Sequence, residues 1–214
     1  MGASRDAPCW VPEGNALDRG VSETPSAFQA PATLETDRLV IRGIKETDMA
    51  DLLVMNQDDE VLRFLPYAKW LGIDDGMAWL ARVRKLEAAG TAVQLVLVDK
   101  ASGRVIGACV LFKYDEGSSR AELGFAIARE CWGKGLMVEA LSVLIAHAFQ
   151  VRGVRRLEAE ANPLNTASCR LLARLGFAEE GLMRQRYRVK GAIYDTKIFG
   201  LLSGEWKAPS PRLP

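Results

Sequence analysis

Residues that bind metals or activate nucleophiles are scarce in this chain. It has one histidine, His147, and four cysteines, Cys9, Cys109, Cys131 and Cys169, none of them in a C-x-x-C pair. That excludes a His-rich metal centre, a zinc ribbon and a thioredoxin-type redox motif, and no metal is expected. A Ser-His-Asp triad would have to use His147, which sits in the helical stretch IAHAF with no nucleophile-elbow sequence nearby. Three of the cysteines lie in apolar or helical segments, where the thiol serves as a small hydrophobe, and the usage points to a reducing, cytoplasmic compartment. No apolar run approaches the ~20 residues needed to cross a bilayer. Excess charge is missing too. Lys plus Arg number 28 and Asp plus Glu 27, so the net charge of +1 gives no bulk drive toward nucleic acid or an anionic membrane. The first residues lack the apolar stretch of a signal peptide. They open like a myristoylation signal, but Asp6 stands where Ser or Thr is required.

What is present suits a folded domain. The 214 residues are 49% apolar and 26% charged, enough to bury a sizeable core. Residues 1–33 are rich in Pro, Gly, Ala, Ser and Asp without apolar periodicity, and are expected to form a tail or loosely docked arm, with Trp10 and Phe28 able to pin it. The domain is expected over 34–206. Residues 207–214, with three of the nine prolines, should be irregular.

Inside the domain, strand and helix periods alternate. RLVIRGI (38–44) alternates like a strand, and Met49, Leu52, Leu53 and Asn56 recur at helical spacing. Asp74-Asp75 opens a second helix that Gly90 closes. Strands at 92–98, 104–112 and 120–128, separated by turn residues, predict an antiparallel meander. A helix at 136–150 follows, with Leu141, Leu144, Ile145 and Ala148 on one face. Then come a strand at 155–161, a short helix at 165–175 capped by Asn165, and a closing hairpin around Lys190-Gly191. The class is α+β, a mixed sheet flanked by helices.

The informative window is RAELGFAIARECWGKGLMVEALSVL, residues 120–144. A strand runs into Trp132-Gly133-Lys134-Gly135 and a helix starts at once. Glycines one residue apart permit a tight turn and a close backbone approach to a ligand. The unpaired amides of the helix start point into that turn, and together they suit a pyrophosphate, with Lys134 adding charge. Glycine spacing alone leaves an ordinary strand-to-helix turn open. The turn is neither a P-loop, since Leu136-Met137 follow Gly135, nor a dinucleotide fingerprint, which needs glycine at Val138 and a parallel βαβ start.

Four pieces in order carry a resemblance: LETDRLVIRGIKETD, AELGFAIARECWGKGLMVEAL, ANPLNTASCRLLARLGFAEEG and GAIYDTKIFGLLSGEW. Over about Leu34 to Trp206 the chain resembles the GNAT superfamily of acyl-coenzyme A-dependent N-acyltransferases, in particular the branch that acetylates ribosomal-protein N-termini (RimJ/RimL type). The superfamily's pyrophosphate loop reads Arg/Gln-x-x-Gly-x-Gly/Ala. Gly133 and Gly135 match, but Glu130 holds the first position, which removes one side-chain contact and leaves the amides of Gly133, Lys134, Gly135, Leu136, Met137 and Val138. The resemblance implies a mostly antiparallel sheet of six to seven strands, helices on both faces, and two splayed parallel strands, 120–128 and 155–161. Acetyl-CoA would be the co-substrate, its pantetheine arm pairing with backbone groups of Phe125, Ala126, Ile127 and Ala128. Asn165 and Ser168 match the family's N-x-x-S motif, the first contacting the cofactor and the second placed to act as acid for the departing thiolate. Lys134, Arg170 or Arg174 could reach the 3′-phosphate, although arginines there also suit a solvated helix face.

The expected reaction is attack of a primary amine on a thioester, which needs a base, an oxyanion donor and an acid. Glu122 shares its strand face with Gly124 and Ala126, and these small neighbours leave room above it for a substrate. Partly desolvated there, it could have its pKa raised toward neutrality, and it is the candidate base, directly or through water. Glu139 matches the acid of the family's helix start and is read as holding loop and helix together. The acceptor is a protein N-terminus or a small-molecule amine. Arg184, Arg186 and Arg188 alternate on one strand and could attract an acidic acceptor, although they also suit a solvated edge strand that resists aggregation, whereas Asp58, Asp59 and Glu60 could attract a cation. Family sheets often pair into dimers. The alternative is a coenzyme A-binding sensor or partner-binding module without catalysis.

Overall fold

Period-two alternation in the sequence becomes one sheet. The computed structural model describes residues 28, 30, 31 and 33–207. Its strands are β1 (Leu34–Glu35), β2 (Leu39–Gly43), β3 (Val93–Asp99), β4 (Val105–Asp115), β5 (Arg120–Ile127), β6 (Arg156–Ala161), β7 (Ala178–Val189) and β8 (Ala192–Leu202). Their order is β1-β2-β3-β4-β5-β6-β8-β7. Every neighbouring pair is antiparallel except β5–β6. The mixed α+β architecture is thus as expected, but the strands number eight rather than six to seven. The added one is the two-residue β1, too short for periodicity to reveal.

The helices are α1 (Met49–Gln57), α2 (Asp59–Leu62), α3 (Ile73–Ala88), α4 (Leu136–Ala146) and α5 (Thr166–Arg174). A one-turn helix such as α2 has no apolar stripe to read. Its start is fixed instead by Asp58, whose carboxylate accepts from the amides of Glu60 and Val61. Gly90 (φ +67°) follows α3 in the left-handed conformation that closes a helix. The inner face expected over 136–150 is fully buried: Leu141, Leu144 and Ile145 of α4, and Ala148 just past its end, expose 0% of their surface. Each of its fully buried leucines contributes about 2–3 kcal/mol.

The helix changes to a π-turn at His147–Val151. His147 is half-buried there, outside the cleft, and its Nε2 accepts from the Arg152 guanidinium at 3.2 Å. Burial and the Arg152 charge push its pKa down. These contacts make it a structural histidine. Phe28 is buried and stacks on Tyr114, ring centroids 4.3 Å apart. Trp10 and Cys9 lie outside the described residues.

Candidate functional site

Parallel pairing between β5 and β6 lasts three positions, Arg120–Arg156, Ala121–Leu157 and Glu122–Glu158. Both strands then continue, β5 to Ile127 and β6 to Ala161, without pairing. Over that stretch β5 keeps its partners on β4, from Gly124–Val110 to Gly107–Ile127. Its other edge lines a cleft of about 1310 Å³ that runs through the gap. Gly124 is required at the mouth of the splay: a Cβ there would come within 2.9 Å of Val110.

At one end of the cleft lies the glycine turn. Gly133 (φ +73°) and Gly135 (φ +76°) both take the left-handed conformation, and Gly135 directly precedes α4. Among the described residues, the amides of Gly133 to Val138 have no protein acceptor. This is the donor-rich concavity that an anion needs. Lys134 is exposed beside it, and Glu130 points elsewhere and lines no part of the cleft. Trp132, not singled out from sequence, donates its indole N–H to the Ile127 carbonyl at 2.9 Å and fixes the end of β5.

Across the gap, Asn165 caps α5: its side-chain oxygen accepts from the Ser168 amide at 3.1 Å. An N-cap bonds the third helical residue, so the N-x-x-S spacing is itself a cap. That leaves the Asn165 amide nitrogen to donate elsewhere. Ser168, Arg170 and Arg174 line the same end of the cleft.

Glu122 is the last paired position of β5 on β6, at the base of the splay, 9% exposed, and lines the cleft with Gly124, Phe112 and Glu160. Burial pushes its carboxyl above the ordinary glutamate range, and the nearby Glu160 and Glu158 add to this. Lys113 opposes the rise, its Nζ donating to Glu122 Oε2 at 2.7 Å. Lys113 was not predicted. It adopts φ +52° where the β4–β5 register shifts, and such a bulge re-aims a side chain in a way that alternation cannot forecast. Glu160 was not predicted either, although the alternation in RLEAEA puts it on the face of Glu158, which the structure pairs with Glu122. Tyr187 donates to Glu160 at 2.7 Å. Burial and that carboxylate push the phenol's pKa up, so it stays a donor.

At the opposite end, of the six charged residues that gave conflicting signs in the sequence, only Glu60 lines the cleft. Arg184, Arg186 and Arg188 are exposed on β7 at the sheet edge, beside the β7–β8 register shift between Met183 and Tyr187, and none of the three lines the cleft. Arg186 turns instead to Glu160, 3.6 Å away. Asp58 is used as the α2 cap, and Asp59 pairs with Lys69 at 3.0 Å. The walls are Phe64, Tyr67, Trp70, Tyr194 and the Lys190 stem. Lys190 bridges them, its ammonium donating to the Leu62 carbonyl at 2.7 Å.

Among the described residues no His/Cys/Asp/Glu cluster could hold a metal, and no helix is long and apolar enough to cross a membrane.

Comparison with known proteins agrees with this geometry. Residues 38–178 match the Acetyltransferase (GNAT) domain. The uncharacterized N-acetyltransferase p20 of Bacillus licheniformis is 32% identical over 174 residues, covering 81% of this chain and 98% of that protein. The [ribosomal protein uS5]-alanine N-acetyltransferase of Escherichia coli is 31% identical over 185 residues, covering 81% and 92%. Among solved structures, Mycobacterium smegmatis RimJ in complex with CoA-disulfide superposes with a TM-score of 0.72 at 23% identity, over 83% of this chain and 86% of that one, which speaks for the fold. The chain belongs to the GNAT acetyltransferase family and is an acetyl-CoA-dependent N-acetyltransferase.

Proposed function

We propose that the cleft holds acetyl-CoA along the splayed edge of β5 and transfers its acetyl group to a primary amine at Glu122, the amine being a protein N-terminus or a small molecule. The observation that carries this reading is the splay itself. One continuous opening joins a row of unpaired amides at Gly133–Val138 to a desolvated carboxylate at Glu122. The residues fit the ligand. The Gly133–Val138 amides suit the pyrophosphate, and the free edge at Phe125–Ile127 suits a pantetheine arm. Asn165 would donate to that arm, and Lys134 and Arg174 supply positive charge for the 3′-phosphate.

Acetyl-CoA brings the acetyl group as a thioester. Glu122 accepts the proton that the attacking ammonium must lose, directly or through a water. Its raised pKa brings it nearer the working pH, which improves a general base. A β5 amide near Phe125 or Ala126 donates to the carbonyl oxygen as negative charge grows there. Ser168, on the far wall, donates a proton to the departing sulfur and regains one from the nitrogen, which must lose a second proton to become an amide. Holding amine and thioester in one cleft replaces a bimolecular encounter.

The acceptor choice rests on relatives and on shape. The E. coli relative is named for an alanine terminus of a ribosomal protein. A structural neighbour from Vibrio cholerae is a spermidine N-acetyltransferase in complex with CoA and spermine. The aromatic walls here suit either kind of amine. The catalytically silent alternative gains no support, because Glu122, Asn165 and Ser168 all line the cleft. The test is thiol release from acetyl-CoA with N-terminal peptides, polyamines, aminoglycosides and amino acids as acceptors. Release with one amine class, lost in Glu122→Gln, supports the reading. Coenzyme A binding without release for any primary amine overturns it.

A further inference from the structure

Arg38 stands at the cofactor end without a role in the chemistry above, yet it is tied to both halves of the anion cradle. It lies in the tight turn between β1 and β2, where Thr36 and Leu39 bond each other. Its guanidinium reaches across to the pyrophosphate turn: Nη1 donates to the Lys134 carbonyl at 3.1 Å. Its Nε donates to Glu139 Oε2 at 2.7 Å, and its own amide donates to Glu139 Oε1 at 3.0 Å. The Thr36 hydroxyl also donates to Glu139 Oε1. Burial tends to raise the Glu139 carboxyl, but these donors outweigh it and hold its pKa below the usual range. The turn that presents Arg38 is itself braced from the other side, since Lys100 donates to Glu35 and to the Thr36 carbonyl.

A trans peptide fixes what this grip does. The C=O of Lys134 and the N–H of Gly135 belong to one planar unit and point in opposite directions. A guanidinium holding the carbonyl therefore also sets the direction of the Gly135 amide, away from Arg38. Both glycines of the turn are in left-handed conformations and have no Cβ to restrict them, so the turn needs an outside restraint. Glu139 lies in the first turn of α4, so the same side chain locks turn and helix start into one register.

We infer that Arg38 is a positioning residue for acetyl-CoA: with Glu139 it clamps the Lys134 carbonyl and so preorganises the Gly133–Val138 amides toward the pyrophosphate. This rests on the reading that those amides take the pyrophosphate. A clamp and a direct contact make different predictions. If Arg38 touched a phosphate, freeing it from Glu139 would leave binding intact or improve it. If it clamps, loosening Glu139 weakens binding although the positive charge remains.

The experiment is calorimetric titration of CoA, dephospho-CoA and pantetheine into wild type, Arg38→Ala, Arg38→Lys and Glu139→Gln, with thermal melts beside them. Dephospho-CoA keeps the pyrophosphate and lacks the 3′-phosphate. Pantetheine lacks both. Loss of charge-assisted hydrogen bonds predicts roughly 10- to 100-fold weaker CoA and dephospho-CoA binding in Arg38→Ala, with pantetheine unchanged. Glu139→Gln should show the same pattern more weakly, and Arg38→Lys should lie between Arg38→Ala and wild type. Equal weakening of all three ligands would overturn the inference in favour of a merely structural residue. A loss confined to CoA would overturn it in favour of a 3′-phosphate contact, as would undiminished CoA binding by Glu139→Gln. If Arg38→Ala does not fold, Arg38→Lys and Glu139→Gln carry the same test. Wild type binding pantetheine as tightly as CoA would remove the pyrophosphate reading itself, and the clamp with it.

Discussion

The two ends of the cleft are built from different material. The cofactor end is mostly backbone: two left-handed glycines, a helix start and an unpaired strand edge. The acceptor end is mostly side chains, brought from β4, β5, β6, the α1–α2 region and the β7–β8 hairpin. Backbone sites depend on local conformation, which a few spaced residues specify. Side-chain sites depend on where distant segments meet. The cofactor end therefore suits a ligand shared by a whole family, and the acceptor end is where members can diverge.

If that division holds, side-chain deletion at the acceptor end should lower kcat, and backbone distortion at the cofactor end should raise KM for acetyl-CoA. The largest effect is expected from Glu122→Gln. A nearly isosteric amide cannot take a proton, so kcat should fall by about 10²–10⁴-fold. The CoA dissociation constant should stay within about two-fold, because the turn is untouched. Stopped thiol-release assays and titration measure the two quantities separately. Unchanged kcat would remove Glu122 from the chemistry and break the comparison at its acceptor end.

Next is Gly135→Val. Space is not the obstacle, since a Cβ there would have only the Arg38 guanidinium nearby, at 3.8 Å. The obstacle is φ +76°, a conformation that costs an L-residue roughly 1–2 kcal/mol and a β-branched one more. KM for acetyl-CoA should rise about ten-fold or more, with kcat at saturation changed much less. Loss of kcat with KM unchanged would show that the turn does not serve the cofactor.

How much of this was legible follows the same division. The glycine turn, the Asn165 cap and the Glu122 face could be read because each is fixed by residues within four positions of one another. The splay was expected only through resemblance, since no local pattern says where two strands stop pairing. Lys113 was invisible because a bulge broke the alternation that placed its neighbours. The arginines at 184, 186 and 188 lie exposed on the edge strand, as one of their two readings had it, while the β7–β8 register shift beside Gln185 (φ +53°) was hidden from alternation. Part of the charge that looked contradictory on paper was committed elsewhere, Asp58 to a cap and Asp59 to Lys69, which leaves Glu60 at the cleft.

Asn165→Ala sharpens the cofactor side further. Removing an N-cap costs about 1 kcal/mol. For a chain of this size that lowers Tm by about 2–4 °C. Because the side chain both caps α5 and faces the cleft, KM for acetyl-CoA should rise as well. Asn165→Asp keeps the capping oxygen and loses the amide donor, so it should restore Tm without restoring KM. Restoration of both would leave Asn165 a cap alone.

The subtlest test is Lys113→Met, which alters the acceptor end without removing any group from the proposed chemistry. Burial raises the Glu122 pKa and Lys113 opposes that rise. Without the ammonium the carboxyl should titrate at still higher pH. If Glu122 is the base, activity needs it ionised, so the acidic limb of the kcat profile should move to higher pH while the plateau changes little. Stability moves with it. A carboxyl whose folded pKa lies above its unfolded value contributes stability that is complete below the unfolded pKa and is lost as pH rises through the folded one. In the variant that pKa is higher still, so ionising Glu122 at neutral pH costs more than in wild type. The gap in Tm between wild type and Lys113→Met should therefore be smallest at acid pH, where the carboxyl is protonated in both proteins, and widen toward neutral pH. A limb that stays in place would mean that Glu122 is not the group the profile reports. A limb that moves to lower pH would mean that Lys113 does not stabilise the carboxylate, and that a 2.7 Å contact across a bulge is there for packing.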